Sequence, residues 1–163
     1  MHPNAALLHR LFNALNQHEH RTMASCYHSD ATFRDIAFKL RNRTEIHSMW
    51  HMICEGDIRA TFEVVHANDQ DGRVKLVDSY TFGATKEPPK PGRPVRNVVD
   101  SRFLFQDGLI VQHHDFCDAR EWARLALGGT KGFFAGRMRL LRSWKAGQML
   151  KAFVDKQIGR AHV

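Results

Sequence analysis

Apolar side chains recur at every third or fourth position through Ala5, Leu8, Leu11, Phe12 and Leu15, which predicts an amphipathic helix closing before His18-Glu19-His20. A second short helix is predicted over roughly Arg21 to His28, with Met23, Cys26 and Tyr27 on one side, and a strand over Ala31 to Ile36. Asn42-Arg43-Thr44-Glu45 has the spacing of a capping box ahead of a third helix that sets Ile46, Met49, Trp50 and Ile53 on one face, with Gly56 as its stop. The pattern then changes. Arg59 to Ala67, Arg73 to Ala84, Val95 to Gln106 and Leu109 to Cys117 are rich in Val, Phe, Thr and Tyr and predict strands. Asn68 to Gly72 and Gln106-Asp107-Gly108 read as hairpin turns. Lys86 to Pro94 holds four of the five prolines and is expected at an exposed hairpin tip, outside any central strand. A helical pattern returns after Glu121 with Trp122, Leu125 and Leu127, and Gly128-Gly129 breaks it. Helical spacing resumes through Phe134, Met138, Leu141 and Trp144 and through Leu150, Phe153, Val154 and Ile158, with a kink expected at Gly147. Helices first and an antiparallel meander afterwards predict an α+β fold.

A chain of 163 residues is expected to form one domain with a core that needs no disulfide or metal. No run of about 18 apolar residues predicts a membrane span. Met1 to Asn16 lacks the features of a leader, so the expected location is cytoplasmic. Cys26, Cys54 and Cys117 are odd in number and far apart, and read as reduced, buried small residues. Charge divides the chain. From Lys131 to Val163 eight Lys or Arg face one acid, Asp155, which accounts for the whole net charge of +7 and leaves residues 1–130 neutral. We therefore expect a body at 1–127 and a basic amphipathic helical extension at 128–163. A balanced body argues against a nucleic-acid groove across it. The tail could close over the body, pack in an oligomer, or lie on an anionic membrane, and packing is the plainest of these.

The stretch Tyr27-His28-Ser29-Asp30-Ala31-Thr32-Phe33-Arg34-Asp35 delivers a carboxylate, Asp35, at the far end of a strand. Later strands bring Asp100, His113, His114 and Asp115. A desolvated carboxylate in reach of a substrate C–H or O–H is a general base; the plainer role for Asp35 is capping a turn or pairing with Arg34 or Arg41. Asp100 shares strand parity with Arg102, so an exposed ion pair competes with a pocket role, and it faces outward if Phe103 and Phe105 point in. His113 and Asp115 share one face and could act together near neutral pH, or decorate a polar sheet surface or dimer interface. His47 and His51 have metal-ligand spacing on one helix, with His113 or His114 as a possible third ligand, but no carboxylate completes a signature and no metal is expected. Met49, Trp50, Phe62, Tyr80, Phe82 and Phe103, with Tyr27, could line an apolar cavity or form ordinary core; Trp50 and Tyr80 carry polar handles that could orient a ligand. No Gly-rich phosphate loop, serine elbow or Cys–His nucleophile is visible.

The element order, the Tyr27–Asp35 stretch and the run Phe105-Gln106-Asp107-Gly108-Leu109-Ile110-Val111-Gln112-His113-His114-Asp115 resemble the nuclear transport factor two-like superfamily over residues 5–118. That group includes ketosteroid isomerases, SnoaL-type polyketide cyclases, limonene-epoxide hydrolases and scytalone dehydratases. The resemblance implies a cone of three helices on a curved, mostly antiparallel sheet, open to an apolar ligand. It places Asp35 where the isomerases hold their proton-shuttling aspartate, and Asp100, eight residues before Gly108, at their oxyanion-hole aspartate. It places Asp115 near the acid–base aspartate of the cyclases. The chain departs from the isomerases at Leu11 or Phe12, where a tyrosine would stand. The Arg-Asp-Asp set of the epoxide hydrolases has no clear counterpart. The implied function is cofactor-free acid–base chemistry, as isomerase, cyclase or hydratase, on a steroid-like or polyketide-like molecule. A non-catalytic binding or oligomerisation module is the alternative. A homodimer through the outer sheet face is expected, without nucleic acid.

Overall fold

The computed structural model describes residues 1–86, 88–128 and 139–161. Helix α1 (Pro3–Asn16) starts with its proline in the first turn and His2 as cap. Helix α2 (His20–Ser25) leads into β1 (Tyr27–Arg34), followed by the two-residue β2 (Lys39–Leu40) and α3 (Arg43–Cys54). Four long strands come next, β3 (Arg59–Ala67), β4 (Asp71–Phe82), β5 (Arg93–Gln106) and β6 (Leu109–Cys117), then α4 (Ala119–Leu127) and α5 (Arg139–Ala161). The strands form one six-stranded sheet ordered β2-β1-β6-β5-β4-β3, antiparallel except where β1 runs parallel to β6. This is the expected α+β architecture.

Alternation builds the core. Val95, Val99, Ser101, Phe103 and Phe105 of β5 point to the concave face, opposite Val74 and Leu76 of β4 and Ile110 and His113 of β6. Leu8, Leu11, Phe12 and Leu15 of α1 close that face. Asn16 locks the end of α1 to β3: its amide donates to the Ala60 carbonyl and accepts the Ala60 N–H, at 2.8 and 2.7 Å. Gly72 lets α1 approach, since a Cβ there would stand 3.0 Å from both Leu8 and the Phe105 ring. The cap of α3 forms at Asn42, whose Oδ1 accepts the Glu45 N–H, while Glu45 reaches one residue further back than a capping box, to the Arg41 N–H. The hairpin at Asp107-Gly108 has φ of 54° and 72°, the pair of positive values a tight two-residue turn requires.

Four expectations need correction. The second helix ends at Ser25 and the strand begins at Tyr27, because the Cys26 carbonyl accepts the Ile110 N–H and draws the chain into the sheet early. Asp35 therefore lies just beyond β1 rather than within a strand. Pro94 is inside β5, at a position that pairs with Thr81 of β4 but lies beyond the last rung with β6, so no ladder donor is lost. Helix α5 runs unbroken through Gly147. It packs along α3: Ala146 is buried, Leu150 joins the core edge, and the Phe153 ring stands edge-on to His51 at 4.9 Å. The expectations at Gly129, Lys131, Phe134, Arg137 and Met138, and for the side chains from Arg139 to Lys145, lie outside the described residues.

Candidate functional site

The concave face turns polar toward one end of the sheet. Ser101 on β5 stands opposite Asp115 on β6, and Asp78 on β4 stands opposite Asn97 on β5. Cys117 lies one inward-facing step beyond Asp115, and Asp35 follows the last β1–β6 pair, Arg34 with His114. Three carboxylates from three separate segments thus converge. All three stay partly accessible while their neighbours on the same face, Val99, Ser101 and His113, are buried, so they sit in a recess rather than inside the core.

Asp115 is the hub. Its Oδ1 accepts hydrogen bonds from the Ser101 hydroxyl and from the His113 ring, whose Nε2 lies 2.7 Å away. The side chain of His113 is fully buried, and that of Asp115 is 18% exposed. Behind His113 the Tyr27 hydroxyl sits 2.8 Å from Nδ1 and accepts the Trp50 indole N–H at 3.2 Å. Phe33 and Phe103 clasp the imidazole from either side.

Burial, opposed by the Phe38 and Ala37 N–H groups, raises the Asp35 carboxyl to about 6. Burial also raises Asp78, to about 7, and the negative charges of Asp115 and Asp35 add to the effect. Its Oδ1 is buried with no hydrogen-bond partner, an expensive arrangement for an ionised carboxylate and a tolerable one for a protonated acid. Burial pushes the Cys117 thiol up to about 12, so it is no nucleophile near neutrality. Tyr80 is likewise raised by burial and receives the Trp122 indole N–H at 2.6 Å, which places α4 at the edge of the recess.

Asp35 has structural work as well. Its Oδ1 accepts the N–H groups of Ala37 and Phe38 at 2.7 and 2.5 Å, closing the turn into β2. Asp35→Ala is therefore expected to lower stability by about 1–3 kcal/mol by orphaning two backbone donors, whereas Asp35→Asn keeps the acceptor and stays close to the parent protein. Urea unfolding of both variants checks this, and equal losses would refute it.

Of the expected site residues, Asp35, Asp115 and His113 come together. Asp100 does not. It lies on the convex face in a forked ion pair with Arg73 at 2.8 and 2.9 Å, with Arg102 at 3.4 Å, because strand parity sends Phe103 and Phe105 inward. Met49, Tyr27, Trp50 and Phe103 were candidates to line a cavity; they are packed core beneath the recess, and of the expected lining residues Phe62, Tyr80 and Phe82 keep an accessible surface. His47 and His51 meet His20 rather than His113 or His114: His20 Nδ1 is 2.8 Å from His47 Nε2 and its ring stacks on His51 at 3.9 Å. His114 stacks on Phe116 on the convex face. Among the described residues no group of His, Cys, Asp or Glu is arranged to hold a metal ion, and no helix is long and apolar enough to cross a membrane. A broad groove of about 810 Å³ crosses the convex face, along Thr61, Lys75, Val77, Val98 and Asp100. It is open sheet surface with Asp100 already paired, and the recess is the better candidate. Asp78 was missed by sequence reasoning, although it shares parity with Val74 and Leu76, which alone sends it inward.

Comparison with known proteins agrees with this fold. The M. tuberculosis LEH-like epoxide hydrolase superimposes with a TM-score of 0.60 at 16% identity, over 78% of this chain and 91% of that one. TsrD from Streptomyces laurentii gives 0.63 at 21% identity, over 78% and 96%. SalBIII, an epoxide hydrolase/cyclase-like enzyme with a role in pyran ring formation in the polyether salinomycin, gives 0.61 at 13% identity, over 70% and 89%. No curated protein matches the sequence. The model of the SnoaL-like domain matches residues 8–113, and the chain belongs to that family.

Proposed function

We propose that the recess performs cofactor-free acid–base chemistry on a largely apolar small molecule, with Asp115 as the base and Asp78 as the proton-bearing partner. The observation that carries this reading is the inequality of two carboxyls in one recess. Asp115 is supported by two hydrogen-bond donors, whereas Asp78 is desolvated, has one oxygen without a partner and only the Asn97 side chain as a hydrogen-bond partner, and is raised to about 7. Neighbouring acids with divergent environments divide the roles of base and acid. The expected base, Asp35, is second to Asp115 here because its Oδ1 is committed to the turn. Isomerisation, ring closure and hydration can each be run by a base beside a proton donor. The epoxide-hydrolase and cyclase-like enzymes among the structural neighbours support that range through their fold. A steroid-like or polyketide-like substrate suits the apolar surroundings.

The test needs no natural substrate. A carboxylate in an apolar recess removes the C3 proton of 5-nitrobenzisoxazole; the C–H electrons form the nitrile, the N–O bond breaks, and a coloured phenolate leaves. The protein is expected to show saturable turnover about 10²–10⁴ above an equal concentration of acetate. Binding of the probe without acceleration would favour the module that only binds.

A further inference from the structure

We infer that Tyr27 and Trp50 are positioning residues that lock the His113 ring with its proton on Nε2, so that His113 is a fixed donor to Asp115 and not a proton carrier. This rests on Asp115 being the base.

The argument follows hydrogens along the chain of contacts. An indole nitrogen only donates, so the 3.2 Å contact from Trp50 Nε1 must end on the Tyr27 oxygen. Tyr27 is wholly buried, and burial holds its hydroxyl well above the ordinary range, so it keeps its hydrogen. That hydrogen needs an acceptor, and His113 Nδ1 at 2.8 Å is the one in reach. A ring accepting at Nδ1 carries its proton on Nε2, 2.7 Å from Asp115 Oδ1. Each bond in the series then runs the same way: Trp50 to Tyr27, Tyr27 to His113, His113 to Asp115.

The series has no exit. For His113 to give its Nε2 proton to a substrate-derived base and recover one, Tyr27 would have to release its own buried hydrogen, and the indole behind it cannot replace the loss. The ionisable neighbours of His113 are Tyr27 and Asp35 from the β1 side, Asp115 on β6, and the adjacent His114, which faces the opposite side of the sheet. Phe33, Trp50 and Phe103 cover the rest of the ring. With Ser101 also on Oδ1, both donors load one oxygen of Asp115 and leave the other for chemistry. The usual division of labour in a histidine–aspartate dyad is reversed: the imidazole orients the carboxylate.

The experiment uses the full chain labelled with ¹⁵N. Long-range proton–nitrogen spectra at pH 7.5, with the His113 resonances identified by their loss in His113→Gln, are expected to show Nε2 protonated and Nδ1 bare. Tyr27→Phe, which deletes one oxygen, strips Nδ1 of its donor and should move the Nδ1 resonance downfield, while Asp115 still receives the Nε2 proton. A wild-type ring protonated on Nδ1, or one indifferent to Tyr27→Phe, overturns the assignment whatever the protein catalyses. The kinetic arm uses 5-nitrobenzisoxazole. His113→Leu should lose at least about tenfold in kcat, and His113→Gln, whose amide can accept from Tyr27 and donate to Asp115, should recover most of that loss without altering the shape of the pH profile. Equal losses in the two variants would mean that a titrating ring is required, and would overturn the inference. Circular dichroism reports whether His113→Leu folds; if it does not, Tyr27→Phe carries the test. An Asp115→Asn variant that keeps the parent rate, beside a wild-type ring protonated on Nε2, would defeat the proposed function while leaving the relay standing.

Discussion

Asp115→Asn is expected to lower kcat for 5-nitrobenzisoxazole by at least about a hundredfold, with KM within a few-fold of the parent, because it removes the proton acceptor and little else. The carboxamide has the same shape, and its oxygen can still receive the Ser101 hydroxyl and the His113 N–H that now fix Oδ1. The His113 ring beneath it is held by Phe33, Phe103 and Tyr27, none of which the substitution changes. An amide nitrogen cannot take a proton near neutral pH, so the loss should fall on kcat. The charge on Asp115 also raises Asp78 and Asp35, so its removal lets both ionise at lower pH. A variant that keeps its rate would remove Asp115 from the mechanism and return the question to Asp35, whose carboxyl at about 6 is also poised for proton transfer.

Much of this site was legible from the chain because its rules are local. The outward direction of Asp100 follows from its parity with Arg102 and the apolar character of Phe103 and Phe105, and the ion pair with Arg73 is what that parity produces. The Asn42 cap and the hairpin at Asp107-Gly108 are short-range chemistry and both form, although Glu45 reaches back to Arg41 and does not close the box on Asn42. Asp35 as a turn cap was one of two readings its position allowed, and the geometry shows that role without excluding the other. Tyr27 was assigned to a helix because its neighbours repeat at helical spacing. Its true place is fixed by β6, more than eighty residues away, through the Cys26 carbonyl and the Ile110 N–H. Propensity cannot anticipate a pairing of that range. The relay behind Asp115 was hidden for the same reason, since it joins α3, β1, β5 and β6 and no two of its links are close in sequence except His113 and Asp115. Asp78 is the opposite case: the alternation that buries Val74 and Leu76 is local and by itself sends Asp78 to the same face.

Asp78 also carries the largest expected effect on stability, and its sign is unusual. Its carboxyl titrates at about 7 in the folded protein, against an ordinary value of 3.8. Between those values the native state holds a proton that the unfolded chain has released. Stability therefore falls as pH rises through this window, and the full penalty is present above about 7. A displacement of about three pH units corresponds to about 4 kcal/mol, an upper figure because the charges of Asp35 and Asp115 share in it. Asparagine resembles the protonated acid and never ionises. Asp78→Asn is thus expected to stabilise the protein by about 2–4 kcal/mol at pH 8, by less at pH 6, and by almost nothing at pH 4, where the parent carboxyl is protonated in the folded state. Urea denaturation at the three pH values measures it. A loss of stability at pH 8, or a gain independent of pH, would mean that Asp78 is already comfortable as an anion. It would then be no proton donor, and the pairing with Asp115 would fail with it. A stabilising gain accompanied by lost turnover is the expected mark of a residue kept in an unfavourable place for its chemistry.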